Sequence, residues 1–189
     1  MKRRAPAKLA ALTLAIAGAL SCRDASAVER QHHLGVGGGL AMLKIDDKTT
    51  MSVGGMGGLH YAYGLSDAFN LMVEGGYGIV AIGEAKGAGI PPTRPASLGH
   101  LGVGAGYVLD VVQWVPYVGA LATGYTMSGG SLEKTRVDFG VGLAAGLDYQ
   151  FTRSFAVGAA VRQHFILSAM STYPTYTEGL LRAEIAWGW

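Results

Sequence analysis

The chain has 189 residues, 30 of them Gly, with half of the residues hydrophobic, 15% charged and a formal net charge of +2. Glycine at about twice its usual share of roughly 7%, spread along the whole body, argues against a helix bundle, because each interior Gly costs about 1 kcal/mol relative to Ala. Abundant aliphatic and aromatic residues at low net charge exclude a disordered chain, and the length suits one domain.

At the start, Lys2, Arg3, Arg4 and Lys8 precede an apolar stretch from Leu9 to Leu20, followed by Ala25-Ser26-Ala27, the small-x-small form that a signal peptidase cuts. The stretch has 12 residues, too few for a spanning helix, which needs about 20. Residues 1–27 therefore read as a cleaved signal peptide and 28–189 as the mature domain. A competing reading takes Ala19-Leu20-Ser21-Cys22 as a lipoprotein signal, although Leu is missing three residues before the Cys.

Cleavage after Ala27 removes five basic residues and one acidic residue, which turns the formal charge to −2. The basicity belongs to the signal, no basic stripe remains to neutralise phosphates, and nucleic acid is not an expected partner. Cys22 is the only cysteine, so the mature domain has no disulfide, thiol nucleophile or cysteine metal ligand.

Beyond the signal the organising pattern has period two. It predicts strands over 33–44, 51–65, 69–82, 97–109, 115–128, 137–151, 155–167 and 179–189. The first carries Leu34, Val36, Leu40 and Met42 on even positions. From Val53 onward the large apolar residues are expected on odd positions, as in Leu59, Tyr61 and Tyr63 against Gly58, His60 and Ala62. A parity switch is required near 45–50 or at a glycine bulge. Connections 66–68, 110–114 and 152–154 are short, whereas 83–96, 129–136 and 168–178 are longer, the alternation of an up-and-down barrel with turns at one end and loops at the other.

Volume decides which face points outward. An eight-stranded barrel has a bore just wide enough for side chains, so the bulky odd face must lie outside and the Gly- and Ala-rich even face within. An apolar exterior needs a solvent other than water, and lipid accepts a sheet only when it closes. Apart from Trp114, Tyr173 and Tyr176, assigned to connections, every aromatic is odd-numbered. Phe69 and Tyr77, Tyr117 and Tyr125, Phe139 and Tyr149, and Phe155 and Phe165 are eight to ten residues apart. Ten tilted residues span about 25 Å, the height of a lipid-facing band between two aromatic girdles. Tyr63, Tyr107, Trp114, Phe151, Trp187 and Trp189 crowd the short-turn end, where amphipathic rings favour the headgroup level.

In these features the chain resembles the small eight-stranded OmpA/OmpX-type outer-membrane barrels of Gram-negative bacteria. The expected fold is an all-β, antiparallel, up-and-down transmembrane β-barrel. The last segment, Leu181 to Trp189, is similar to the aromatic-ended signal read by the barrel assembly machinery, with Trp187 and Trp189 where Phe is more usual. The resemblance implies outer-membrane lipids as surroundings, a monomer, both termini in the periplasm, long loops outside and no added periplasmic domain.

The constellation with possible chemistry lies inside. Glu74, His60, Arg162, Arg182 and Glu184 fall near mid-height on the inward face, and buried charges cost several kcal/mol unless paired. The two arginines against Glu74 and Glu184 read as a neutralising plug of two against two, with a gate opened by pair exchange as the sharper alternative. His100 and His164 are expected nearer the loop end. A metal site joining them to His60 and Glu74 is not expected, because the heights differ and no close His-x-His spacing supports it. No other cofactor is implied. His32 and His33 point oppositely and read as interfacial or terminal polar residues. An enzyme is not expected: no Ser lies two residues after any His, and Ser168 or Ser171 could reach His164 only by loop folding. Pro91, Pro92, Pro95 and Tyr173 to Tyr176 leave open a loop-mediated binding role.

Overall fold

A computed structural model of the protein describes residues 30–45, 50–80, 94–109 and 113–188. The signal peptide expected over 1–27, the prolines at 91 and 92, and Trp189 lie outside the described residues. Eight strands follow one another: β1 (His32–Ile45), β2 (Thr50–Gly64), β3 (Phe69–Val80), β4 (Ser97–Val108), β5 (Trp114–Ser128), β6 (Arg136–Thr152), β7 (Phe155–Phe165) and β8 (Thr175–Trp187). Each pairs antiparallel with its chain neighbours, and β1 pairs with β8, so the sheet closes. Closure leaves no unpaired edge, which a sheet with an apolar exterior requires.

Along most strands one side chain is exposed and the next buried. Leu59, Leu101, Val103, Phe139, Leu143, Leu181 and Ile185 are exposed, while His60, Glu74, His100, Asp138, Asp148, Arg162 and Arg182 are buried. Greasy side chains therefore cover the outside and the charged ones fill the axis. The parity switch falls between Ile45 and Thr50 and not at a bulge within β1 or β2. The β1–β2 register runs unbroken from His32 opposite Tyr63 to Ile45 opposite Thr50, pairing even residues with odd ones throughout.

β5 departs from the sequence expectation. Tyr117 and Tyr125, expected on the outer face as girdle residues, are 7% and 1% exposed, whereas Val118 is 56% exposed. The strand has its odd residues inward. Its register again matches odd with even on both sides, Tyr107 opposite Val118 on β4 and Ala144 opposite Gly119 on β6. The cause is packing. The inward faces of β4 and β6 offer Gly102, Gly104, Gly106, Gly140, Gly142 and Gly146, and close-packed interiors leave no such volume empty. Tyr117, Leu121, Tyr125 and Met127 fill it, and all four are buried in the core. A methyl group at Gly146 would strike the Tyr117 ring, and one at Gly102 would meet the Thr123 hydroxyl at 2.9 Å.

Candidate functional site

The buried polar groups form two layers across the bore. In the half nearer the short turns, Arg182 on β8 donates from Nη1 to the Tyr117 hydroxyl at 2.6 Å, with its guanidinium carbon 4.6 Å from the ring centre. Its Nη2 lies 2.6 Å from Glu184 Oε2 and 2.9 Å from Asp148 Oδ2. Glu184 also meets His33 Nδ1 at 2.8 Å and His60 Nε2 at 2.7 Å. Gly35 on β1 makes room for the His60 ring, since a Cβ there would overlap it.

Nearer the loops, Arg162 on β7 places Nε 3.0 Å from Glu74 Oε2 and Nη1 3.4 Å from Glu178 Oε2. His100 Nδ1 stands 3.3 Å from Glu178 Oε1, and His164 Nδ1 is 3.1 Å from the Tyr125 hydroxyl.

The spaces around the layers are small. A cavity of about 10 Å³ touches both Arg162 and Arg182, room for about one water. A larger cavity of about 50 Å³ lies at the short-turn side, lined by His33, Asn70, Met72, Tyr117 and Asp148 among others. On the loop side of the upper layer the bore is filled by Leu43, Ile45, Leu98, Met127, Ile166 and Tyr173, all fully buried. Arg94 is also buried there, donating from Nε to the Ser52 hydroxyl at 3.0 Å.

The five lumen residues singled out from sequence thus do not form one cluster. Glu74 goes with Arg162, while His60 and Glu184 go with Arg182. Two guanidinium groups repel each other in a narrow bore, and each is surrounded by its own carboxylates. The expected balance of two against two is corrected by two further acids, Asp148 and Glu178. Asp148 carried an even-face signal in the sequence. Glu178 did not, because β8 begins at Thr175, four residues before its expected start. His164 and Ser168, the conceivable dyad, take different partners: Ser168 donates to Asp138 Oδ1 at 2.9 Å and accepts the Phe139 amide.

The family model described as "Outer membrane protein beta-barrel domain" matches residues 9–179. The chain belongs to this family. None of the curated proteins compared matches it. Among solved structures, this outer-membrane barrel is similar to Neisserial surface protein A at 15% identity and a TM-score of 0.62, over 84% of this chain and 97% of that one. It is similar to the N-terminal barrel of Pseudomonas aeruginosa OprF at 16% identity and 0.58, over 84% and 98%. The attachment invasion locus protein Ail of Yersinia pestis gives 14% and 0.53, over 84% and 99%. At these identities the likeness shows the fold alone.

On the exterior of the outer-membrane barrel the rings gather at the short-turn end. His32 stacks on Trp187 with centroids 5.5 Å apart and meets Tyr63 at 5.0 Å. Phe69 packs edge-on to Tyr107, Trp114 to Tyr149, Tyr149 to Phe151, and Phe151 lies 6.1 Å from Phe155. Toward the loops Tyr77, Phe139 and Phe165 of the expected girdle remain on the outer face among the described residues, because Tyr125 turns inward there, as Tyr117 does in the short-turn half.

Proposed function

We propose that this protein is a structural component of the outer membrane whose lumen is closed, with no enzymatic role. The observation that carries the reading is the filling of the bore: two ionic layers with a cavity of about 10 Å³ touching both Arg162 and Arg182, beneath fully buried, mostly apolar side chains. A hydrated ion needs a continuous polar path, and the seal around Leu98 and Met127 interrupts it. Both termini lie in the periplasm and the longer connections outside, a reading supported by the ring belt at the short-turn end, where amphipathic rings suit headgroups. Outer-membrane lipids surround a monomer, and the assembly machinery reads Trp187 and Trp189.

Planar-bilayer recording tests this. The wild type is expected to give no resolved conductance steps, and Glu184→Ala, which loosens only the layer around Arg182, is expected to stay silent. Steps from the wild type overturn the closed reading in favour of a passive channel. Steps from the variant alone establish a gate at Glu184.

A further inference from the structure

The upper layer contains an arrangement that ion pairing does not use up. Glu74, His100 and His164, all buried, each bring one ligand atom into a group whose members lie within 4.8 Å of one another. Glu178 borders it, 3.3 Å from His100 Nδ1 and 3.9 Å from His164 Nε2. We propose that these residues form an intramembrane site for a single divalent cation of the zinc class, with His100, His164 and Glu74 as ligands and Glu178 as the fourth.

Three observations support it. Nε2 of His100 and Oε1 of Glu74 have no hydrogen-bond partner among the described residues, the contacts of His100 Nδ1 and His164 Nε2 with Glu178 are long at 3.3 and 3.9 Å, and the His100 side chain is fully buried. Leaving such groups unsatisfied is costly, and one cation satisfies several at once. Second, the ligands are held from behind. Arg162 engages Oε2 of both glutamates, which turns Oε1 of Glu178 toward His100 Nδ1 at 3.3 Å, and Tyr125 holds His164 Nδ1, so that Nε2 faces the group. Orientation by outer partners of this kind is characteristic of metal sites. Third, space is reserved for the rings. A Cβ at Gly76 would collide with His100, and one at Gly142 would lie 3.0 Å from His164 Nδ1.

Two imidazoles with carboxylate oxygens are the donor set of zinc-class ions, and a tetrahedral ion with bonds of about 2.0–2.2 Å holds its donors roughly 3.4 Å apart. Contraction of the group from a spread of 4.8 Å by up to about 1.4 Å through side-chain rotation closes it around the ion. The charges agree in sign: Glu74 and Glu178 outnumber Arg162 by one. The inference is independent of whether the lumen conducts.

The test uses the full protein purified from outer membranes in detergent, after folding with either Zn²⁺ or a chelator present, since the site lies deep in the bore. Elemental analysis is expected to find one tightly held Zn²⁺ per chain, and Co²⁺ in its place is expected to give the strong visible absorption of a four-coordinate site. His100→Gln and His164→Gln are expected to weaken binding at least about tenfold, whereas His32→Ala on the outer face leaves it unchanged. Folding of each variant is checked by its β-sheet circular dichroism. If either glutamine variant fails to fold, Glu74→Gln replaces it. Absence of bound metal from a folded wild type loaded during folding overturns the site, and so does undiminished binding in the folded variants.

Discussion

Arg182 and Tyr117 meet inside the barrel, guanidinium to hydroxyl at 2.6 Å, although the sequence pattern sends Tyr117 to the outside. The pairing joins β5 to β8 across the bore and ties the reversed facing of β5 to the ionic layer at the short-turn half. Hydrogen bonds to a charged group contribute about 1.5–3 kcal/mol. Tyr117→Phe keeps the ring and removes only the hydroxyl. It is expected to lower the unfolding free energy by that amount, measured by denaturant titration of the barrel in lipid vesicles. An unchanged midpoint means the hydroxyl contributes nothing.

The same ring depends on Gly146. A methyl group there would overlap the Tyr117 side chain, and overpacking of this kind costs about 1–3 kcal/mol. Gly146→Ala is expected to be destabilising in the wild-type background and close to neutral beside Tyr117→Ala, because the second change empties the contested volume. The double-mutant cycle reads the coupling directly. Additive effects show that the two positions do not share space.

The period-two pattern made the barrel legible, as alternation along seven strands separates a greasy face from a small or polar one. It could not assign the facing of β5. Tyr117, Leu121, Tyr125 and Met127 are bulkier than Val118, Ala120, Ala122 and Gly124 on the opposite side, so by hydrophobicity alone they read as the exterior. The information lies in the neighbours, whose glycines leave a volume that only contact across strands reveals. The ionic site was half legible for a related reason. Arg162, Arg182, Glu74, Glu184 and His60 stand on inward positions that alternation marks, whereas Glu178 lies beyond the expected start of β8 among Thr175, Thr177 and Gly179. Which acid pairs with which arginine depends on stagger between strands, which no single strand encodes.

Arg182 stands between Glu184 and Asp148, at 2.6 and 2.9 Å. Arg182→Met leaves both carboxylates without their cation, and removing one partner of a buried pair costs about 3–5 kcal/mol. The single variant is expected to lose that much stability. Adding Asp148→Asn and Glu184→Gln is expected to recover most of it, since an uncharged layer of similar shape has no stranded ion. Unfolding in vesicles measures both. A triple variant as unstable as the single one assigns the loss to packing of the arginine stem.

The reversed facing of β5 can be read from outside the barrel. Val118 and Ala122 are exposed, while Leu121 and Thr123 are buried. A fluorophore attached at Val118→Cys or Ala122→Cys is expected to be quenched by a quencher carried on lipid tails, and one at Thr123→Cys to be shielded from it. The mature domain has no cysteine of its own if cleavage follows Ala27, so each label reports one position. Strong quenching at 123 with protection at 118 and 122 returns β5 to the parity of its neighbours. Tyr117 would then face lipid, Arg182 would lose its hydroxyl partner, and the glycines of β4 and β6 would border an open bore.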